Sequence, residues 1–201
     1  MDLYATKGAI NARLVPLVDR LAAAGVSPDA LTLAAVPVAV TAGLALLGSR
    51  EVHLLLALVP LLVVARLALN LLDGNMARRT GRIHPRGELY NEVGDRLADI
   101  AFLAPVAWLP GADPAIVLGG VATALLASYI GIASRAAGGK RLYRGVLSKP
   151  GRMVLLVVCS LWAMVVGPGA TLPWAVFGPV LLVGAALTAL ERAVLAMRGL
   201  E

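Results

Sequence analysis

The chain has 201 residues, 59% of them hydrophobic and only 15% charged, with a formal net charge of +6. A soluble domain lies near half apolar and about a quarter charged, so the surplus excludes an ordinary water-soluble globule and makes lipid the second solvent. Aromatic residues amount to 4%, too few for the stacking platforms of a nucleic-acid binder, so no nucleic-acid partner is expected.

At the N-terminus, Ile10, Leu14, Leu17 and Leu21 recur at i, i+4, i+7 and i+11, while Lys7, Arg13 and Arg20 lie elsewhere on the same helix. The pattern predicts an amphipathic helix over residues 1–25 lying in the membrane interface. The alternative is an ordinary first helix packed on the bundle. The stretch lacks the small-residue cleavage site of a signal peptide. Gly25 ends this helix, Ser27 caps the next, and Pro28 stands at its first position.

Residues 26–201 read as one all-α membrane domain. Ala30 to Ser49, Pro114 to Ser134 and Met153 to Leu190 carry no charge. A membrane helix needs about 20 apolar residues, so the last run holds two spans, divided at Gly167-Pro168-Gly169 and Pro173. Two shorter apolar runs, Leu54 to Ala65 and Ile100 to Ala112, must extend into polar flanks. Six transmembrane helices result, at roughly 30–49, 54–77, 88–110, 114–135, 150–167 and 173–194.

The loops are sharply unequal in charge. Arg78, Arg79, Arg82 and Arg86 lie between spans two and three, and Lys140, Arg141, Arg144 and Lys149 between spans four and five. The opposite loops hold little beyond Arg50, Glu51 and Asp113. The positive-inside rule therefore puts both termini in the cytoplasm, as an even number of spans requires. Cys159 is the sole cysteine, which rules out an internal disulfide or a cysteine-based zinc site.

Polar residues concentrate between Asn70 and Asp99. Arg66, Asn70, Asp73 and Ala77 share one helical face at the end of span two, and Asn91, Asp95 and Asp99 share another at the start of span three. The two helices are expected to be antiparallel neighbours with converging acidic faces. Intramembrane carboxylates are costly unless paired, and a divalent cation with oxygen ligands relieves that cost. The donors are all oxygens, which favours Mg²⁺ or Mn²⁺ over zinc. Gly74, unfavourable inside a helix by about 1 kcal/mol, would let a flat group approach the backbone. Arg78 follows one turn after Asp73, placed for a phosphate or a cytosine edge.

These residues resemble the motif of the CDP-alcohol phosphatidyltransferase family, D-x2-D-G-x2-A-R-x8-G-x3-D-x3-D. The chain reads Asn70-x2-Asp73-Gly74-x2-Ala77-Arg78-x8-Gly87-x3-Asn91-x3-Asp95, with every spacing kept and six of eight specified residues matched. The resemblance implies a six-span transferase that moves a substituted phosphate from a CDP-alcohol, such as CDP-diacylglycerol, to an acceptor alcohol with release of CMP. It also implies a homodimer and a role in phospholipid biosynthesis at the inner membrane. By that resemblance Asn70, Asp73, Asn91 and Asp95 are metal ligands and Asp95 is also the general base. Gly74, Ala77, Arg78 and Gly87 shape the CDP site.

Asparagine replaces the family's first and third aspartates, as in a bacterial branch that the chain resembles. Two formal charges are lost, which leaves open one metal in place of two or weaker binding of both. Asp99, Glu92 and Glu88 lie near enough to restore charge. Arg135, Lys149 and Arg152 are candidates for an acceptor-phosphate pocket, with cytoplasmic anchoring as the alternative. Arg66 is expected to form a structural ion pair with an acid of span three. His53 and His84 read as loop residues, and Arg96 points to a face other than that of Asp95. Two competing readings are a catalytically altered family member that serves as a binding or partner protein, and a small transporter with an acidic relay. The acids lie at span ends, not at mid-membrane, which disfavours the transporter.

Overall fold

The computed structural model describes residues 14–82 and 84–200. All regular structure in them is helical. A first helix, α1, covers 14–23 of the described residues. It is followed by α2 (Pro28–Gly48), α3 (Leu58–Thr80), α4 (Pro85–Leu103), α5 (Pro114–Ala136), α6 (Lys149–Val166) and α7 (Leu172–Arg198). Short 3-10 turns, His53–Ala57 and Ala104–Trp108, precede α3 and follow α4. They take up the ends of the two spans that had to be extended. Pro105 lacks the N–H needed to continue α4 as an α-helix.

Five helices, α2, α3 with its leading turn, α5, α6 and α7, are long and apolar enough to cross a membrane. The molecule is thus a membrane-embedded helical bundle. The remaining long helix, α4, carries Glu88, Glu92, Asp95, Arg96 and Asp99 and is too charged to meet that criterion.

Local signals set the helix limits. Ser27 accepts a hydrogen bond from the Ala30 N–H at 3.1 Å, and Pro28 opens α2. The His84 ring caps α4 by accepting from the Gly87 N–H at 2.9 Å, a capping role that its reading as a loop residue did not foresee. Gly81, at φ +65°, closes α3 in the left-handed conformation.

Packing depends on close backbone approach, because lipid supplies little hydrophobic force between helices. The buried face of α2 is built from Ala35, Ala39, Ala42, Gly43 and Ala45. A Cβ on Gly43 would lie 2.4 Å from the Ala101 carbonyl oxygen, so α2 and α4 touch there. A Cβ on Gly120 would meet Leu181 at 2.9 Å where α5 packs along α7. Phe102, Val106, Leu156, Phe177 and Leu181 fill the main core.

The expectation that α3 and α4 pack as antiparallel neighbours is only partly met. Each packs extensively on α2 and scarcely on the other. The small-residue face of α2 draws both toward it. Their polar faces therefore look across a gap and not into a tight seam.

The buried stripe of α1 is Leu14, Val18 and Leu21, packed against Leu31, Leu72 and Met76. Leu17, placed on the apolar stripe by its spacing, is 44% exposed. Ile10 and the rest of the expected helix lie outside the described residues. Asp19 and Arg79 tie α1 to α3 through two hydrogen bonds of 2.9 and 3.0 Å.

Candidate active site

The end of the bundle that carries the basic loops also holds the polar cluster. There α3 and α5 end, and α4 and α6 begin. Asp73, on α3, is buried and accepts a 2.8 Å hydrogen bond from the Thr32 hydroxyl of α2. Asp95, on α4, gathers three groups on one carboxylate oxygen. The Arg66 guanidinium approaches Oδ1 at 2.6 Å and the Lys149 ammonium at 2.5 Å. The Asn70 side-chain amide donates to the same oxygen at 3.5 Å. The expected pairing of Arg66 with an acid of α4 is therefore present, and its partner is Asp95.

The nearby acids are all engaged. Asp99 Oδ2 pairs with Arg152 at 2.8 Å, with side chains 2% and 1% exposed. Glu92 pairs with Arg96 at 2.8 Å, one turn away on the same helix, and also with Arg141. Glu88 pairs with Arg135 and, at 3.9 Å, with Arg141. Each of these three acids is thus ion-paired with at least one arginine. Arg152 pairs with Asp99, and Arg135 pairs with Glu88.

Two cavities meet at this cluster. One, of about 470 Å³, is walled by Asp73, Gly74, Ala77, Gly87 and Asn91, with Thr32 and Arg82. Five positions of the sequence motif thus line a single chamber. A Cβ on Gly74 would lie 3.5 Å from Arg78 Nη1, so the space over this glycine is bounded by that guanidinium. Arg78 is exposed and donates to Asn75 Oδ1 at 3.2 Å. The second cavity, of about 310 Å³, is lined by Asp95, Arg96, Ser128, Lys149 and Arg192. Arg141 and Tyr143 line both. The Arg141 guanidinium lies 4.8 Å from the centre of the Tyr143 ring, a cation–π contact.

Sequence reasoning missed the structural part played by the loop before α6. Arg192 of α7 donates to the carbonyls of Ala127, Tyr143 and Arg144 at 2.8, 2.7 and 2.9 Å. The Leu147 N–H donates to the Thr188 hydroxyl at 2.8 Å. These bonds fix the segment that carries Arg141 and Tyr143. One signal for Arg192 lies in the sequence: it falls three or four residues beyond the small and hydroxyl residues of the α7 face, Thr188 and Ala189. Thr32 was also missed, although it is a hydroxyl within an otherwise apolar stretch.

A metal can be weighed only from the donors. Among the described residues no group of three or more His, Cys, Asp or Glu is placed to hold an ion. The donors expected from the motif are the side-chain oxygens of Asn70, Asp73, Asn91 and Asp95. All four are oxygen donors, and that set suits a hard divalent ion. His84 contacts Asp29 at 3.3 Å and His53 contacts the Met164 carbonyl oxygen at 3.2 Å. Cys159 is buried in the core.

The family model described as CDP-alcohol phosphatidyltransferase matches residues 25–191. The chain is 30% identical over 166 residues to the inner membrane protein YnbA of Escherichia coli (strain K12), an alignment covering 83% of this chain and 81% of that protein. It is also similar in fold to phosphatidylinositol phosphate synthase (PgsA1) of Mycobacterium tuberculosis. With the manganese and citrate complex of that enzyme the TM-score is 0.76 at 20% identity, covering 90% of this chain and 88% of the other. With its CDP-DAG-bound form the TM-score is 0.75 at 20% identity, covering 90% and 92%.

Proposed function

The chain belongs to the CDP-alcohol phosphatidyltransferase family, and from that premise we propose that it moves a phosphatidyl group from CDP-diacylglycerol to an acceptor alcohol, releasing CMP. One observation carries this reading. Asp73, Gly74, Ala77, Gly87 and Asn91, spread over two helices, wall one chamber, and Asp95 opens on the adjoining one. The donor's CDP occupies the larger cavity, where Gly74 and Ala77 admit the flat nucleoside. The acceptor occupies the smaller one, and the hydroxyl to be activated lies at Asp95.

Asn70, Asp73, Asn91 and Asp95 would hold the divalent ion, Mg²⁺ or Mn²⁺. When bound, such an ion draws charge from a pyrophosphate and makes CMP a better leaving group. The protein's own residues do the rest. Asp95 accepts the proton of the attacking hydroxyl. Attack at the β-phosphorus forms a new phosphodiester bond and breaks the bond to CMP. Thr32 holds the Asp73 carboxylate in place. Arg78, over Gly74, stabilises charge that develops on the phosphates. Lys149 and Arg141 face the acceptor cavity, and their positive charge suits an acceptor that carries a phosphate.

The likeness to a synthase crystallised with manganese and with CDP-DAG supports the donor and the ion. We place the site at the cytoplasmic face of the inner membrane, with α4 as the sixth span and both termini inside. The basic loops share the end of the bundle with both cavities, which supports that orientation.

The test is CMP release by the purified protein in detergent with CDP-diacylglycerol, a panel of acceptor alcohols and Mg²⁺ or Mn²⁺. Metal-dependent CMP that vanishes in Asp95→Asn is the expected result, and the stimulating acceptor names the product. No CMP from any donor and acceptor pair would leave a non-catalytic family member, with Asn70 and Asn91 as the reason.

A further inference from the structure

Among the described residues, the polar side chains against Asp95 all meet it at Oδ1. Arg66 Nη2 stands 2.6 Å from that oxygen, Lys149 Nζ 2.5 Å and Asn70 Nδ2 3.5 Å. The two cations differ in freedom. Lys149 lies on the wall of the smaller cavity and has a flexible stem, so a charged ligand there can draw it away. Arg66 is 5% exposed and belongs to neither cavity wall. It reaches from α3 to α4, two helices that scarcely touch each other. Its guanidinium is therefore a fixed link between the two halves of the motif.

Residue 70 bears directly on that link. Asn70 lies one turn beyond Arg66, at i+4 on the same face of α3. Its amide nitrogen and the guanidinium stand against the same carboxylate oxygen. A carboxylate in the place of that amide would set a second negative charge beside Asp95 Oδ1. It would also offer Arg66 a partner on its own helix. Arg66 has a donor to spare for it, because its Nε is buried and has no hydrogen-bond partner among the described residues. A neutral amide neither repels Asp95 nor draws the guanidinium from it, and it donates where a carboxylate only accepts.

We propose that Arg66 is a positioning residue for Asp95, and that asparagine at position 70 is what keeps the guanidinium on that carboxylate. With Oδ1 pinned from α3, Oδ2 is left to take the proton of the acceptor hydroxyl. The carboxylate keeps this orientation when Lys149 turns to a ligand. Arg66 acts through Asp95 and does not touch the substrate. The inference rests on the transferase reading and names what aligns its base. It makes Asn70 a working part of the site, so that an aspartate there is harmful.

The experiment is a double-mutant cycle on CMP release by the full chain in detergent. Arg66→Gln, Asn70→Asp and the combined variant are compared with the wild type, at saturating Mn²⁺ and with the acceptor that best stimulates the wild type. Each single variant is expected to lower kcat at least about tenfold, with the KM for CDP-diacylglycerol within about twofold. The combined variant should fall no more than about threefold below either single one, because both changes break the same link, whereas independent losses multiply to about a hundredfold. Arg66→Lys, which restores a cation, should recover part of the loss. Tm is read on every sample, so that loss of folded protein is not counted as loss of kcat. Asn70→Asp is isosteric, and it decides the matter even if Arg66→Gln does not fold. Wild-type kcat in Asn70→Asp or in Arg66→Gln, or losses that multiply, overturn the proposal and leave the transferase. No CMP from the wild type with any donor and acceptor removes the transferase reading, and this inference with it.

Discussion

Arg152 and Asp99 form a buried ion pair, 2.8 Å between Nη2 and Oδ2, that joins the start of α6 to the last turns of α4. Arg152 is among the largest fully buried side chains in the protein. The pair lies one helical turn beyond Asp95 and fixes the height at which α6 presents Lys149 to that carboxylate.

Removing one partner of such a pair leaves the other charge buried and uncompensated, at a cost of about 3–5 kcal/mol. Arg152→Met is therefore expected to lower the Tm of the protein in detergent markedly. Arg152→Met/Asp99→Leu should recover most of the loss. An unchanged Tm in the single variant would mean that the pair is not a structural clamp.

Gly74 separates packing from function. An alanine Cβ there would lie 3.5 Å from Arg78 Nη1, an ordinary contact, and alanine favours the helix by about 1 kcal/mol. Gly74→Ala should fold at least as well as the wild type. Gly74→Leu projects into the larger cavity and should raise the KM for CDP-diacylglycerol by at least about tenfold, with little change in Tm. Unchanged kinetics in the leucine variant would move the donor out of that chamber.

Arg192 holds the loop before α6 through three backbone carbonyls. With Arg192→Met that loop loses its anchor and opens locally. Trypsin should then cut after Lys140, Arg141 or Arg144 at least about fivefold faster than in the wild type. The KM for the acceptor should rise more than that for the donor, because Arg141 and Tyr143 would no longer be fixed at the meeting point of the cavities. Equal protease resistance would show that the Leu147–Thr188 hydrogen bond is enough to retain the loop.

Sidedness can be checked with single cysteines at Glu51 and Lys140, both exposed, in a Cys159→Ala background. A membrane-impermeant maleimide applied to spheroplasts should label Glu51→Cys directly. Lys140→Cys should react only after the membrane is opened. The reverse pattern would invert the proposed orientation.

Much of this protein was legible in its sequence. Apolar excess and uncharged runs determined a helical membrane protein, because lipid demands that backbone groups bond within each segment. Ser27-Pro28, Gly81 and the Gly167-Pro168-Gly169 break set helix limits locally, since capping and φ are properties of a few adjacent residues. The motif from Asn70 to Asp95 pointed to the chemistry through its resemblance to a family, while helical periodicity accounted only for its shared faces, Asn70 with Asp73 and Asn91 with Asp95. Only the tertiary structure decided how charges divide between partners. Whether Arg152 meets a substrate phosphate or Asp99, and whether Asp99, Glu92 and Glu88 are free, depends on which helices touch. That follows from α2, whose small-residue face draws α3 and α4 to itself and leaves a gap between them. Side chains far apart in the chain, Arg66 and Lys149 among them, then converge on Asp95, and no local pattern encodes a meeting of that kind.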